Sequence, residues 1–155
     1  MKESIKWRHD WNWEGLEVRE GSTHKGAQVK LVILKRALED ERFALAAIHE
    51  GRCTGIRYVG NSKNLYVLEN GMKSESTDFE ILDKGKGIGS MLTAETLERL
   101  AKTDVKTVKT ALLRNDKWGG VLIEKLGGRL KKDSVCWEQD EMAKQKWRTC
   151  LLKEG

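Results

Sequence analysis

The stretch Lys84-Gly85-Lys86-Gly87-Ile88-Gly89 restricts the possible folds of this chain more than any other, because it runs unbroken into a helical pattern. Ile88, Met91, Leu92, Leu97, Leu100 and Ala101 recur at helical spacing, which predicts a helix through Ala101. Alternating glycines suit a backbone that a ligand approaches closely. The first N–H groups of the helix they open have no internal partners and point outward. Such an end favours phosphate oxygens, the dipole adding about 0.3–1 kcal/mol, and Lys84 and Lys86 add positive charge. A glycine-rich turn before a helix also reads as a plain flexible turn. Asp104 ends the helix, Val105 to Leu113 suits a buried strand, and Asn115-Asp116 can cap a short helix through Leu126 that Gly127-Gly128 stops.

The front half reads as mostly antiparallel strands. Gly15 to Glu20 suits a first strand, and Gly21-Ser22-Thr23 a turn and cap ahead of a helix. Ala27, Leu31, Leu34 and Leu38 are spaced four, three and four, which predicts an amphipathic surface helix with Lys30, Lys35 and Glu39 at its other positions. Strands are expected at Phe43–Ile48, Cys53–Val59, Leu65–Leu68 and Thr77–Leu82. Glu50-Gly51, Gly60-Asn61-Ser62 and the hairpin signal Asn70-Gly71 supply the turns between them. Two further strands are expected at about Arg129–Trp137 and Lys146–Leu152. Trp7, Trp11 and Trp13 either close a core edge or present a sticky surface to a partner. The expected class is α/β, with an antiparallel front half and a strand–glycine loop–helix–strand–helix back half.

Composition bounds the partners. With 155 residues and no proline, the chain is expected to form one domain over residues 1–155, with no proline-rich linker. A net charge of +5 favours anionic partners: nucleic acid, acidic protein or a phosphorylated cofactor. Cys53, Cys136 and Cys150 are an odd set without metal-ligand spacing, so reduced thiols and no structural metal are expected. The start Met1-Lys2-Glu3-Ser4-Ile5-Lys6 lacks an apolar signal core and no run is long enough to span a bilayer, so the expected location is the cytoplasm. His49 and Glu50 suit a hairpin edge; His9 and His24 have no spacing partner and read as surface residues.

Other phosphate loops fit poorly. A Walker A loop ends in Gly-Lys-Ser/Thr, where this chain has Ile88-Gly89-Ser90. A dinucleotide loop wants an acidic residue about 20 positions on that ends the next strand, whereas Asp104 precedes it. The loop instead resembles that of the GNAT superfamily of acyl-CoA-dependent N-acetyltransferases, Gln/Arg-x-x-Gly-x-Gly/Ala after a strand, with Lys84 in the first place. Asn115 and Glu124-Lys125-Leu126-Gly127-Gly128 stand where that family has an Asn and a Glu-Lys-Leu-Gly-Phe-like run, and the resemblance covers roughly residues 43–152.

The resemblance implies a mixed central sheet and acetyl-CoA as acyl donor to an amine. It places the pyrophosphate on the backbone of Gly85, Lys86, Gly87, Ile88 and Gly89 beside Lys84. The pantetheine arm is placed against the main chain near Phe79 and Ile81, with Asn115 on the far side where two central strands splay apart. Three departures stand out: Asn115 is one residue further from the Leu-Gly pair than usual, so that Asp116 could take its place; Gly128 replaces an aromatic; and Ile123 falls where a Tyr often protonates the leaving thiolate. Some small phage-encoded relatives, including internal virion proteins, also carry an aliphatic residue there. Glu80, on the strand face it shares with Asp78, is the candidate general base, although both also read as solvated strand residues. Two other classes stay open: a non-catalytic GNAT-like binding or virion component, and a nucleic-acid binder, which the scattered basic residues disfavour. No membrane partner is expected.

Overall fold

Residues 28–36 decide the architecture of the front half. Val29, Leu31 and Ile33 pack into one buried cluster, while Val32 and Leu34 pack into another on the opposite face. A segment buried on both sides of a sheet loses its two-residue alternation, and a subset of its apolar positions can imitate helical spacing. The helix expected through Ala27, Leu31 and Leu34 is therefore a strand. The computed structural model describes residues 13–36, 39–62, 65–71, 86–103, 105–111, 118–132, 134–138 and 140–154.

Among these residues the strands are β1 Trp13–Ser22, β2 Gln28–Arg36, β3 Glu39–His49, β4 Arg52–Ser62, β5 Leu65–Gly71, β6 Thr107–Ala111, β7 Arg129–Lys131 and β8 Ser134–Glu138. The helices are α1 Ile88–Ala101, α2 Trp118–Glu124 and α3 Glu141–Arg148. The strands form one sheet in the order β1-β2-β3-β4-β5-β6-β8-β7. Every adjacent pair is antiparallel except β5 and β6. The class is α/β with an antiparallel front half, as expected.

A tight turn joins β1 to β2. Thr23 N–H donates to Ala27 O at 2.9 Å, Gly26 N–H to Thr23 O at 2.9 Å, and Gly26 takes a φ of 84°. Three other sequence expectations fail here. Gly60-Asn61-Ser62 and Asn70-Gly71 are strand residues, Asn70 and Gly71 lying opposite Arg57 and Ile56. Arg129–Trp137 is a hairpin rather than one strand, reversing at Lys132, whose φ is 53°. Lys146–Leu152 begins as the end of α3: Asp140 caps the helix by accepting from Ala143 N–H at 2.8 Å, and Ala143 and Trp147, four apart, are its buried positions. The chain then returns to β1, with Lys153 bridging Ser22.

The main core cluster takes Ala94, Leu97 and Leu100 from α1, Leu122 and Leu126 around α2, and Ala143 and Trp147 from α3. Val59, Val108, Val135 and Trp137 of the sheet complete it. All three helices thus share one sheet face. Leu97 is 1% exposed, and truncating such a side chain to Ala costs about 2–5 kcal/mol. Trp7, Trp11 and the expected strand Thr77–Leu82 lie outside the described residues. No helix among the described residues is long and apolar enough to cross a membrane.

Candidate functional site

Among the described residues the sheet has one parallel junction, between β5 and β6. Leu65, Tyr66, Val67 and Leu68 of β5 pair with Thr107, Val108, Lys109 and Thr110 of β6. Each strand continues on its outer side: β5 stays paired with β4 through Gly71, and β6 with β8 through Ala111. Crevices at the carboxyl ends of parallel strands are where open α/β sheets bind ligands.

α1 begins at this same end. A Cβ on Gly55 of β4 would meet Leu92 Cδ1 at 3.2 Å and Ile88 Cγ2 at 3.9 Å, so the first turn of α1 lies over Gly55. The next residue, Ile56, is the partner of Gly71 at the end of β5. Gly87 is the N-cap, with φ 78° and ψ 11°, a left-handed conformation that glycine adopts without strain. No described side chain caps the helix and its first turn holds no acidic residue. The ladder starts with Met91 N–H donating to Gly87 O at 3.0 Å, which leaves the N–H groups of Ile88, Gly89 and Ser90 ahead of it. Buried Ile88 anchors the turn, while Lys86 and Gly89 are exposed.

No family model matches the sequence, and no curated protein does. Solved structures do. A mutant of the cAMP-binding acyltransferase from Mycobacterium smegmatis superposes with a TM-score of 0.59 at 9% identity, over 85% of this chain and 53% of its own. Nourseothricin acetyltransferase matches with a TM-score of 0.51 at 11% identity, over 84% of this chain and 99% of its own. PaiA N-acetyltransferase from Thermoplasma acidophilum, solved with coenzyme A, aligns over 62% of this chain and 58% of its own, at 18% identity and a TM-score of 0.45. The chain has the GNAT fold.

Of the residues the GNAT resemblance singles out, the fold brings Lys86, Gly87, Ile88 and Gly89 together at the start of α1. Phe79, Glu80, Ile81, Lys84, Gly85, Asn115 and Asp116 lie outside the described residues. The parallel strand beside β6 is Leu65–Gly71. The aromatic that Gly128 replaces in the GNAT pattern has no room here. A Cβ at Gly128 would overlap Val135 Cγ1 and stand 3.1 Å from Trp137 Cε2. Trp137 fills that space and donates its Nε1–H to Leu126 O at 3.0 Å. Ile123, at the position of the GNAT acid, is half-buried and packs against the main core cluster.

Residue spacing does not point to His24 as part of this site. Thr23 Oγ1 donates to Lys86 O at 2.5 Å, tying the β1–β2 turn to the glycine loop. A Cβ on Gly87 would stand 2.9 Å from His24 Cε1 and 3.4 Å from Lys25 Cγ. Both ring nitrogens of His24 are buried and have no hydrogen-bond partner. Desolvation, then the charges of Lys125, Lys25 and Lys153, hold its pKa below the usual histidine value. The residue as a whole is half-buried, with its ring nitrogens covered. His49 is also buried, with Nδ1 2.9 Å from Gln28 O, which keeps it at the hairpin edge expected for it.

Proposed function

We propose that this chain is an acyl-CoA-dependent N-acetyltransferase. The single observation that supports the reading is the uncapped glycine start of α1 at the carboxyl end of the parallel pair β5 and β6. The pyrophosphate of acetyl-CoA would rest on the N–H groups from Gly85 to Gly89, with Lys84 and Lys86 beside it. The pantetheine arm would run past the carboxyl end of the β5–β6 pair, with Phe79 and Ile81 on the segment that leads to the loop and Asn115 on the β6 side.

Acetyl transfer needs a neutral acceptor amine, and lysine-type amines titrate near 10.4. The amine nitrogen forms the amide bond as the thioester C–S bond breaks. Its proton passes to a base, for which Glu80 is the candidate, and the thiolate takes a proton from water. A thiol pKa of about 8.5 makes it a tolerable leaving group without an acid at Ile123. The acceptor is an amine of a small molecule or of a protein.

The second reading is a GNAT-like protein that binds without catalysis. Ile123 favours it, since an apolar side chain packed on the core cannot donate a proton. Thermal shifts with acetyl-CoA, ATP and NAD test the binding step. Acetyl-CoA at 100 times its dissociation constant should stabilise by about 2.7 kcal/mol while the others do little. Released thiol in the presence of polyamines and peptides then separates the two readings. Slow turnover that Ile123→Tyr raises within the usual 10²–10⁴ range of acid assistance supports the enzyme. Intact binding with no turnover by either protein supports the binder.

A further inference from the structure

We infer that Thr23 is a positioning residue of the glycine loop. Its hydroxyl locks the Lys86–Gly87 peptide in one orientation, with the Lys86 carbonyl held at the β1–β2 turn and the Gly87 N–H directed away from it. The inference deepens the coenzyme A reading above and rests on it only for the identity of the anion.

The direction of the hydroxyl proton follows from its neighbours. Thr23 is 2% exposed, and its Oγ1 accepts from Lys25 N–H at 3.3 Å and from Ala27 N–H at 3.2 Å. Two donors occupy the two acceptor sites of a hydroxyl, which leaves its single proton for Lys86 O, 2.5 Å away. The turn that carries the hydroxyl is itself held. Thr23 N–H donates to Ala27 O and Gly26 N–H to Thr23 O, both at 2.9 Å. Ser22, one residue earlier, exchanges two backbone hydrogen bonds of 2.9 Å with Lys153. The clamp therefore stands on a fixed base.

The loop needs such a clamp. Glycine accepts φ of either sign, so Gly87 offers little resistance to a flip of the peptide before it. That peptide is trans, and holding its carbonyl at Thr23 directs the Gly87 N–H to the opposite side. Gly87 is left-handed and Ile88 opens the helix. Adjacent residues of opposite hand turn successive N–H groups into one concavity that suits an anion. A flip would bring Lys86 O to the place of the Gly87 N–H, where it would oppose the anion. The His24 ring adds a steric stop, filling the space where a Cβ on Gly87 would stand 2.9 Å from its Cε1.

Amide exchange of the ligand-free chain tests the clamp directly. Met91 N–H, which donates to Gly87 O at 3.0 Å, forms the first bond of the α1 ladder and reports on the loop. Thr23→Val keeps the shape and removes the hydroxyl. Met91 should then exchange about fivefold faster, the equivalent of one net hydrogen bond, while amides in the second half of α1 keep their rates. Coenzyme A affinity, measured by calorimetry, should fall by a similar factor. Thr23→Ser should restore both. Gly26→Ala strains the same turn, where φ is 84°, but keeps the hydroxyl; it should lower the melting temperature and leave the Met91 rate and the affinity alone. Should Thr23→Val not fold, Thr23→Asp still accepts from the two turn N–H groups but carries no proton for Lys86 O, and Met91 should again exchange faster. An unchanged Met91 rate, a rise spread evenly along α1, or the same rise in Gly26→Ala would overturn the clamp. A faster Met91 with unchanged coenzyme A affinity would overturn its positioning role. A faster Met91 in a protein whose natural form binds no coenzyme A would uphold the clamp and overturn the coenzyme A reading.

Discussion

The two ends of α1 are built on opposite principles. At the carboxyl end, charge is paired and covered. Glu95, 6% exposed, accepts from Arg19 Nη1 at 2.6 Å and from Leu152 N–H at 2.8 Å. Glu98 accepts from Trp147 Nε1 at 3.0 Å and Arg148 Nε at 2.9 Å, and Arg99 faces Glu17 at 3.7 Å while lying 5.6 Å over the Phe43 ring. A cleft of about 180 Å³ remains between Glu17, Arg19, Ile33, Leu45, Glu95 and Lys102, and its arginine is already held by carboxylates. At the amino end no described side chain caps the helix, its first turn holds no acidic residue, Gly87 is left-handed and the buried His24 ring nitrogens have no described partner. The first arrangement stabilises a fold. The second leaves polar groups open for something anionic, and the helix ties the two together.

The largest effect should come from the closed end. Glu95→Ala removes the carboxylate that joins Arg19 to Leu152 N–H and leaves a partly buried guanidinium and a buried donor without it. Losing one partner of such a pair costs about 3 kcal/mol, here at the lower end because Arg19 keeps Glu154 and some solvent. The urea midpoint should fall accordingly. The affinity of the protein that remains folded for coenzyme A should not change; a matching loss of affinity would show that the two ends are not separate.

At the open end, two neighbouring glycines should behave differently. Gly87→Ala forces a left-handed backbone on an L-residue, costing about 1–3 kcal/mol, and pushes on His24. Stability and affinity should fall together. The contact with His24 means that Gly87 cannot be blocked without touching stability. Gly89 is exposed in the first helical turn. Gly89→Glu should leave stability unchanged or raise it by about 0.3–1 kcal/mol, since an acid there suits the dipole. The same charge should abolish coenzyme A binding. If Gly89→Glu binds normally, the pyrophosphate does not sit on this helix.

What sequence could read follows from how local each signal is. The pattern from the glycine loop to Gly127-Gly128 is carried by neighbours in the chain, so α1, β6 and α2 were legible with their order. β2 was not, because burial on both faces erased its alternation. α3 was missed because only Ala143 and Trp147 mark its buried face while Cys150 and Leu152 beyond it suggested a strand. The site divides the same way. Lys86 to Gly89 could be named from spacing, whereas His24 reaches Gly87 across 63 residues by a tertiary contact. Glu80 and Asn115 rest on the family pattern alone.

The smallest effect is the dependence of stability on pH, and it should separate the two ends along the pH axis. His24 has its folded pKa lowered from 6.5 by desolvation and by Lys125, Lys25 and Lys153. Between that value and 6.5 the unfolded chain binds the proton first, so stability falls as pH drops through this window. Glu98 feels desolvation, which raises its pKa, but hydrogen bonds from Arg148 and Trp147 hold it below 4.5 on balance. Its contribution is complete above 4.5 and is lost only as pH falls through the lower folded value. Melting temperatures of the ligand-free chain should therefore show a shallow decline starting near pH 6.5 and a second decline below pH 4.5. His24→Gln should remove the first and spare the second, while Glu98→Gln should do the reverse. With coenzyme A bound, a phosphate beside His24 favours the charged ring, so the first decline should shrink or change sign. A first decline unaltered by saturating coenzyme A would place the ligand away from His24 and end the comparison at the open end of the helix.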